Sequence, residues 1–144
     1  MKKLLSIIAV MLTIVCLCIK AEPLIKAPSM YVYGISFSAT DSIIYMTEVY
    51  KLEDAQITKK SKFLYGRNEL SSQLKQHMYM EGFKKQTCTV SFDINKTKAE
   101  KKYLKQKAYF LKKGYVVKFI HPDNFKFKTV KFEGSEEDLE FVGK

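Results

Sequence analysis

The chain has 144 residues, a formal net charge of +10 and an aromatic content of 13%. This length fits one domain that can bury a core without disulfides. The nine tyrosines and ten phenylalanines argue against a disordered protein. Composition therefore indicates one globular domain with a basic surface.

Residues 1–21 have the pattern of a secretory signal peptide. Lys2 and Lys3 precede an uncharged apolar run from Leu4 to Cys18, after which the chain turns polar. As a helix this run would span about 22 Å, which is short of the hydrocarbon core of roughly 30 Å. Removal of the segment is therefore favoured over a permanent anchor, and we expect no transmembrane span in the mature chain.

The processing point stays open between cleavage after Ala21 and cleavage after Cys18. Lipidation of Cys16 or Cys18 is a third alternative, which Val15 and Leu17 disfavour because a small residue usually precedes a lipidated cysteine. The expected location is the periplasm or the outer surface.

The charge is unevenly distributed along the chain. After removal of residues 1–21 the chain carries 22 basic and 15 acidic residues. Residues 22–132 hold 21 bases and ten acids, whereas residues 133–144 hold one base and five acids. This acidic C-terminal tail either folds back over the basic surface or forms a frayed, solubilising end.

The first elements are an irregular lead-in and a hairpin. Residues 22–29 contain two prolines and predict irregular structure, and a single domain is expected over residues 30–132. Residues 31–38 alternate between large apolar and smaller side chains, which predicts a half-buried strand. Turn residues around Asp41 and the β-branched, aromatic segment 43–50 predict the second strand of a hairpin.

Residues 51–66 are charged and read as irregular, and a helix is predicted after them. Asn68 is its expected N-cap, and Gly82 its stop. Three apolar residues recur every four positions along it: Leu70, Leu74 and Met78. The strand that follows, from Cys88 to Ile94, places Cys88 on its apolar face, where a free cysteine is favoured as a core residue over a reactive thiol.

The second helix is predicted from a capping box formed by Thr97 and Glu100, and it ends at Gly114. Its apolar stripe comprises Ala99, Tyr103, Leu104, Ala108 and Leu111. Residues 115–120 predict another strand, and the alternation after Phe125 predicts one more, with a bulge near Lys128 or Thr129.

The predicted order is β-β-α-β-α-β. We expect an α+β fold with one mainly antiparallel sheet and both helices packed on one face. The predicted core includes Val90, Phe92, Leu104, Ala108, Leu111, Val117 and Phe119.

The second helix carries the strongest functional signal. Residues 96–113 contain eight lysines and one acid, Glu100. Five lysines lie away from the apolar stripe and are the candidate binding residues for an anionic partner: Lys98, Lys101, Lys102, Lys105 and Lys112. An anionic glycan, a lipid headgroup or an envelope protein would fit. A solvated face without a ligand is the alternative, and no arginine is present for bidentate phosphate contacts.

No catalytic, metal or cofactor motif is evident. His77 and His121 do not stand at metal-ligand spacing with other ligands. Aromatic residues and lysines interleave over residues 125–128, as in single-strand nucleic-acid binders, but export makes nucleic acid an unexpected partner. Convergent carboxylates such as Asp41 and Asp93 leave a small secreted hydrolase as the alternative to a non-enzymatic function.

The hairpin of residues 37–42, the segment 63–67 and the helix that starts at Thr97 together resemble small exported proteins of unknown function from Gram-negative gut anaerobes. That resemblance implies export and no particular activity. Residues 90–119 read as a strand, a helix opened by Lys98-Ala99-Glu100-Lys101, then Lys113-Gly114-Tyr115 and a strand. In this they are similar to half of a SPOR domain, the envelope module that binds peptidoglycan glycan strands. The hairpin replaces the other half of that pattern, so the resemblance implies no binding residues.

These observations predict a small exported, non-enzymatic cell-envelope domain with a binding, structural or accessory role.

Overall fold

The computed structural model describes residues 22–132 and Gly134. The chain divides into two units, and the first, which contains the fold described below, runs from Leu24 to Glu133. The predicted signal peptide, with Cys16 and Cys18, lies outside the described residues. So does the predicted acidic tail, except for Gly134.

The first unit is built around a five-stranded mixed sheet. Strand β2 (Tyr31–Phe37) is antiparallel to β3 (Ile43–Thr47), β4 (Tyr50–Lys51) and β6 (Thr87–Asp93), and β7 (Val116–Ile120) runs parallel to β3. Ile35 of β2 pairs with Met46 on one side and Thr89 on the other, so β6 and β7 are the two edges.

Two short strands form a second, antiparallel sheet. They are β1 (Leu24–Lys26) and β5 (Gln56–Thr58). The predictions of an irregular lead-in and an irregular segment 51–66 therefore need correction. Strands of two or three residues are too short to show alternation in a sequence.

Helix α1 (Arg67–Met80) and helix α2 (Lys96–Lys112) are both present where the sequence predicts helices. Gly82 and Gly114 follow their C-terminal ends with left-handed φ values of 90° and 85°, as predicted, but the predicted N-caps are wrong. Gly66 precedes α1 with a left-handed φ of 72°, and Asn68 lies inside the helix. The side chain of Asn95 caps α2, because its Oδ1 accepts a hydrogen bond from the backbone N–H of Lys98 at 3.1 Å. Thr97 therefore sits in the first turn.

The two helices pack on opposite faces of the sheet. Val32 of β2 belongs to a cluster with Leu74 of α1, whereas its neighbour Tyr33 belongs to a cluster with Tyr103 of α2. Neighbouring residues of a strand point to opposite faces. The α+β class and the mainly antiparallel sheet are thus confirmed, but the placement of both helices on one face is wrong.

Small residues in β2 explain this difference. Gly34 leaves room for α1, because a Cβ there would stand 2.6 Å from Leu74 Cδ2. Ser36 is fully buried and its hydroxyl donates a hydrogen bond to Gln86 Oε1 at 2.8 Å. The positions that look solvent-facing in the sequence are therefore the ones that α1 covers.

The buried face of α2 is rotated from the predicted stripe. Ala99 is buried and Tyr103 half-buried, as predicted, but Phe110 and the polar Gln106 complete the buried face. Val90 is buried, and Phe92 and Val117 pack partly buried against the core, also as predicted. Four predicted core residues are instead exposed: Leu104, Ala108, Leu111 and Phe119. Two apolar stripes run along this helix, and the sequence pattern did not identify which one faces the sheet.

Residues 121–132 form no strand, contrary to prediction. Side chains take the place of a strand partner. Gln73 of α1 makes two hydrogen bonds with the backbone of Lys128. Its Nε2 donates to the Lys128 carbonyl at 2.9 Å, and its Oε1 accepts the Lys128 N–H at 2.8 Å. The backbone N–H of Phe127 donates a hydrogen bond to the Tyr50 hydroxyl. The segment is held against the core by Phe127, which is buried.

Candidate functional site

Helix α2 arranges the five candidate lysines on one exposed face. Lys101 and Lys102 are adjacent in the sequence, and each stands three or four residues from both Lys98 and Lys105, while Lys112 follows Lys105 by seven residues. Spacings of three, four and seven place residues along one side of a helix. At 1.5 Å per residue, the row from Lys98 to Lys112 is about 21 Å long. All five are exposed: Lys98, Lys101, Lys102, Lys105 and Lys112. The structure therefore brings together every residue of the predicted basic face, and we call these five residues the lysine row.

Most of this positive charge is uncompensated. Lys102 forms an ion pair with Asp93, with Nζ and Oδ2 2.8 Å apart. Glu100, the one acid of the helix, pairs with Lys96 at 3.8 Å. Among the described residues the other four lysines of the row have no acidic partner within ion-pair distance.

Asp93 fixes the position of Lys102 at one end of the sheet edge. Its side chain is only 14% exposed, and its second oxygen accepts the N–H of Asn95 at 3.0 Å. Burial would raise the pKa of this carboxyl, but the hydrogen bonds from Lys102 and Asn95 and the charges of Lys102 and Lys98 outweigh burial, and the pKa is lowered. Asp93 thus stays ionised and holds one member of the row in place.

A shallow groove of about 370 Å³ borders the middle of the lysine row. It lies between α2 and strands β2 and β6 and is lined by Tyr33, Ser91, Lys102, Lys105, Gln106 and Tyr109. The Tyr33 hydroxyl donates to Gln106 Oε1 at 2.8 Å, which leaves the amide nitrogen of Gln106 as a donor. We call these six residues the α2 groove.

The sequence analysis missed four residues of the α2 groove: Tyr33, Ser91, Gln106 and Tyr109. One signal could have found them. Gln106 is a polar residue on the helix face that also carries Ala99 and Tyr103, and a buried polar side chain needs a partner. Ser91 and Tyr33 stand opposite each other in the β2–β6 register.

An aromatic ring interrupts the lysine row. Tyr109 occupies the position between Lys105 and Lys112, and it is 55% exposed. Lys113 Nζ lies 5.7 Å from the centre of the Tyr109 ring, within reach of a cation–π interaction. The α2 groove thus offers ammonium, hydroxyl and amide donors beside an exposed aromatic face. This combination suits a polar, anionic ligand that also presents an apolar face.

The carboxylates of the alternative hydrolase hypothesis do not converge. Asp93 pairs with Tyr31 at the start of β2, whereas Asp41 lies beyond Phe37 at the end of β2. Six residues of strand separate these ends by about 20 Å. Glycoside hydrolysis needs carboxyl groups roughly 5–10 Å apart. Asp41 and Asp93 therefore cannot act together as such a pair.

Two further pockets do not supply such a pair either. One, of about 310 Å³, lies between α1 and the segment after it and is lined by no acid. The other, of about 520 Å³, lies at the hairpin turn and is lined by a single acid, Asp41. Neither pocket contains the two facing acids that a paired-carboxylate enzyme needs.

The remaining reactive residue types serve the core or the surface. Cys88 is half-buried in β6, where burial raises the pKa of its thiol. His77 stacks on Phe125 with ring centres 4.9 Å apart, and His121 lies 3.2 Å from Asp123. No three of the metal-ligating side chains in residues 22–132 come together as a metal site.

The interleaved segment 125–128 does not present its aromatic rings for stacking. Phe127 is buried and Phe125 is partly buried against it, with ring centres 4.9 Å apart. Lys126 and Lys128 remain exposed. The alternation therefore reflects one packed and one solvated side.

Comparison of the chain with protein-family models, curated proteins and solved structures finds no match. The resemblances to the exported proteins and to half of a SPOR domain therefore stay predictions. Neither helix of the described part is long and apolar enough to cross a bilayer.

Proposed function

We propose that the protein is a small exported, non-enzymatic domain of the cell envelope that binds an anionic glycan along helix α2. The lysine row contributes the charge, and the α2 groove contributes hydroxyl and amide donors and the Tyr109 ring. The observation that carries the proposal is the set of four lysines beside this groove that have no acidic partner within the described part of the chain: Lys98, Lys101, Lys105 and Lys112.

Like charges at close spacing support a binding role over a merely solvated face. Lys98 and Lys101 are three residues apart, and Lys101 and Lys105 four. Such pairs destabilise a helix by about 0.2–0.5 kcal/mol each. A surface that only needed solubility could alternate the two signs of charge at no such cost.

A glycan fits this site better than a lipid headgroup for two reasons. The lysine row is about 21 Å long, which suits a linear ligand with repeated charges. Tyr109 is flanked by lysines and has no exposed apolar neighbour in the α2 groove that could enter a membrane with it. Export, predicted from residues 1–21, would place the domain among envelope glycans.

Binding to a carboxylated polysaccharide tests the proposal. Protein expressed from the full-length chain is titrated with polygalacturonate, with neutral dextran and with phosphatidylglycerol vesicles. We expect binding to polygalacturonate alone. This binding should weaken at least tenfold between 0.1 M and 0.5 M salt, because the interaction is electrostatic.

The matched variants each remove three positive charges. Changing Lys98, Lys101 and Lys105 to Gln should weaken binding to polygalacturonate at least tenfold. Changing Lys59, Lys60 and Lys126 to Gln removes the same charge from exposed positions outside α2 and should weaken it less than threefold. Equal losses in both variants would contradict a defined site, and binding to vesicles without polysaccharide would contradict the glycan class.

A further inference from the structure

Strand β7 is an edge strand whose outer side is open. The N–H of Val116 bonds to the carbonyl of Ser42 at 2.9 Å, so Val116, Lys118 and Ile120 direct their peptide groups towards β3. Alternate residues point the other way, which leaves the peptide groups of Val117 and Phe119 facing outwards. No described strand pairs with this side of β7. Such an edge is a template for another strand.

The opposite edge of the sheet is closed by cationic side chains. Arg67 of α1 donates from Nε to the carbonyl of Val90 at 2.8 Å. The Nζ of Lys102 in α2 donates a hydrogen bond to the next outward carbonyl, that of Phe92, at 3.4 Å. Charged side chains across an edge prevent the pairing of a further strand. Within the described residues, the fold therefore blocks β6 and leaves the outer side of β7 without a paired strand.

Exposed apolar side chains surround the open edge. Phe119 of β7 is 52% exposed, and Leu104 and Leu111 of α2 are 61% and 52% exposed. Lys107, which lies one helical turn from both leucines, places its Nζ 4.7 Å from the centre of the Phe119 ring. This contact brings the exposed leucine stripe of α2 beside β7. Exposed apolar side chains grouped on neighbouring elements are typical of an interaction site.

The two sides of β7 differ in character. Val117 packs in the cluster under α2, so Phe119, two residues on, lies on the α2 side. Lys118 lies on the other side and is exposed. Val116, two residues before Lys118, lies on the same side as Lys118 and is 54% exposed. A strand added at this edge would therefore meet Phe119 and the leucines of α2 on one side, and Lys118 beside Val116 on the other.

We propose that β7 binds an extended segment of a partner protein in which apolar and acidic residues alternate. The segment would pair with the outward peptide groups of Val117 and Phe119. Its apolar residues would pack on Phe119, Leu104 and Leu111, and its acidic residues would face Lys118. A second copy of this chain is a poorer occupant, because antiparallel pairing of two β7 strands brings lysines of both copies together.

A synthetic peptide tests the pairing. The probe is the capped heptapeptide Glu-Val-Glu-Phe-Glu-Val-Glu, and its control has lysine in place of each glutamate. We expect the acidic peptide to bind at least tenfold more tightly. The amide protons of Val117 and Phe119 should exchange more slowly with solvent when it is bound, whereas those of β6 should not change.

Two variants separate backbone pairing from loss of the fold. Phe119→Pro removes an outward N–H but keeps the hydrogen bonds between β7 and β3, so it should abolish binding of the acidic peptide. Phe119→Ala keeps that N–H and should weaken binding less. If Phe119→Pro fails to fold, Lys118→Glu decides, because it should reverse the preference between the acidic and lysine peptides.

Three results would overturn the proposal. They are equal affinity for the two peptides, an unchanged affinity in a folded Phe119→Pro variant, and a stable dimer of the protein alone that involves β7. An acidic peptide can also be attracted by the lysine row. The slower amide exchange of Val117 and Phe119 and the effect of Phe119→Pro do not involve that row, so they distinguish pairing at β7 from binding along α2.

Discussion

At the scale of single residues, the ion pair between Asp93 and Lys102 links the lysine row to the fold. The pKa of Asp93 is lowered from its ordinary value of 3.8, against the effect of burial, and a hydrogen bond from Lys102 is the first cause of the lowering. A carboxyl whose pKa is lowered on folding stabilises the protein above its unfolded pKa. That contribution disappears as the pH falls through the lower pKa of the folded state.

We therefore expect Lys102→Gln to raise the pKa of Asp93, measured by NMR titration of its carboxyl carbon. Lys102→Gln should also lower the free energy of unfolding. This difference from the wild type should have its full size above about pH 4 and should become smaller below it. Lys101→Gln is the control, because Lys101 does not contribute to the lowering of this pKa. An Asp93 pKa that moves equally in both variants would mean that the row acts only through its total charge.

Tyr50 joins the C-terminal segment to the sheet. Its hydroxyl accepts the N–H of Phe127, and burial raises its pKa to about 12 although that hydrogen bond acts in the opposite direction. Tyr50→Phe leaves this N–H without its acceptor. We expect a loss of about 1–3 kcal/mol in the free energy of unfolding at pH 7, measured with urea.

The pH dependence provides a second measurement of the same contact. Because the pKa of Tyr50 is raised on folding, its contribution is complete below pH 10 and is lost as the pH rises towards 12. The difference between wild type and Tyr50→Phe should therefore decrease over that range. Tyr79→Phe changes an exposed ring and should have little effect at any pH. A difference that stays constant to pH 12 would exclude the buried hydroxyl as its source.

At the scale of elements, the two helices differ in how much of their apolar surface the sheet uses. Leu74 of α1 is fully buried, whereas Leu104 of α2 is 61% exposed. Leu74→Ala should cost about 2–5 kcal/mol. Leu104→Ala should change the free energy of unfolding by less than about 0.5 kcal/mol, the usual size of a surface effect. A large loss at Leu104, measured by urea denaturation, would restore the core position that the sequence pattern predicts.

The sequence predicts elements better than their partners. Apolar spacing locates both helices and the strands β2, β3, β6 and β7, because periodicity is a local property. It does not identify the face on which α1 packs, since that depends on the space that Gly34 leaves for Leu74. Nor does it identify the stripe of α2 that faces the sheet, since that stripe includes the polar, half-buried Gln106, whose partner is the Tyr33 hydroxyl.

The candidate site is predictable to the same extent. The lysine row follows from helical spacing alone, so the sequence contains it completely. The α2 groove depends on the pairing of Tyr33 with Ser91 and on the side of the sheet that α2 covers. These contacts join residues more than fifty positions apart, and no local pattern predicts them.

At the scale of the whole molecule, positive charge opposes folding. Residues 22–132 carry 21 bases and ten acids, and excess charge of one sign destabilises a compact state by self-repulsion. The lysine row concentrates this effect on one helix. Lys98 also lies in the first turn of α2, where the helix dipole disfavours a positive charge.

Changing Lys98, Lys101 and Lys105 to Gln should therefore stabilise the protein while it removes the proposed ligand site. The substitutions eliminate the four like-charge pairs of the row, and glutamine matches lysine in helix propensity, so we expect a gain of about 1 kcal/mol at low salt. Urea denaturation at 0.02 M and 0.5 M salt measures it, and screening should reduce the gain at the higher salt. Changing Lys59, Lys60 and Lys126 to Gln should stabilise less, because these lysines do not share a helix face. A variant of the row that is less stable than the wild type would show that the lysines hold the fold together. A variant that is more stable and no longer binds polygalacturonate would show that the row reduces stability and that its charge serves the ligand.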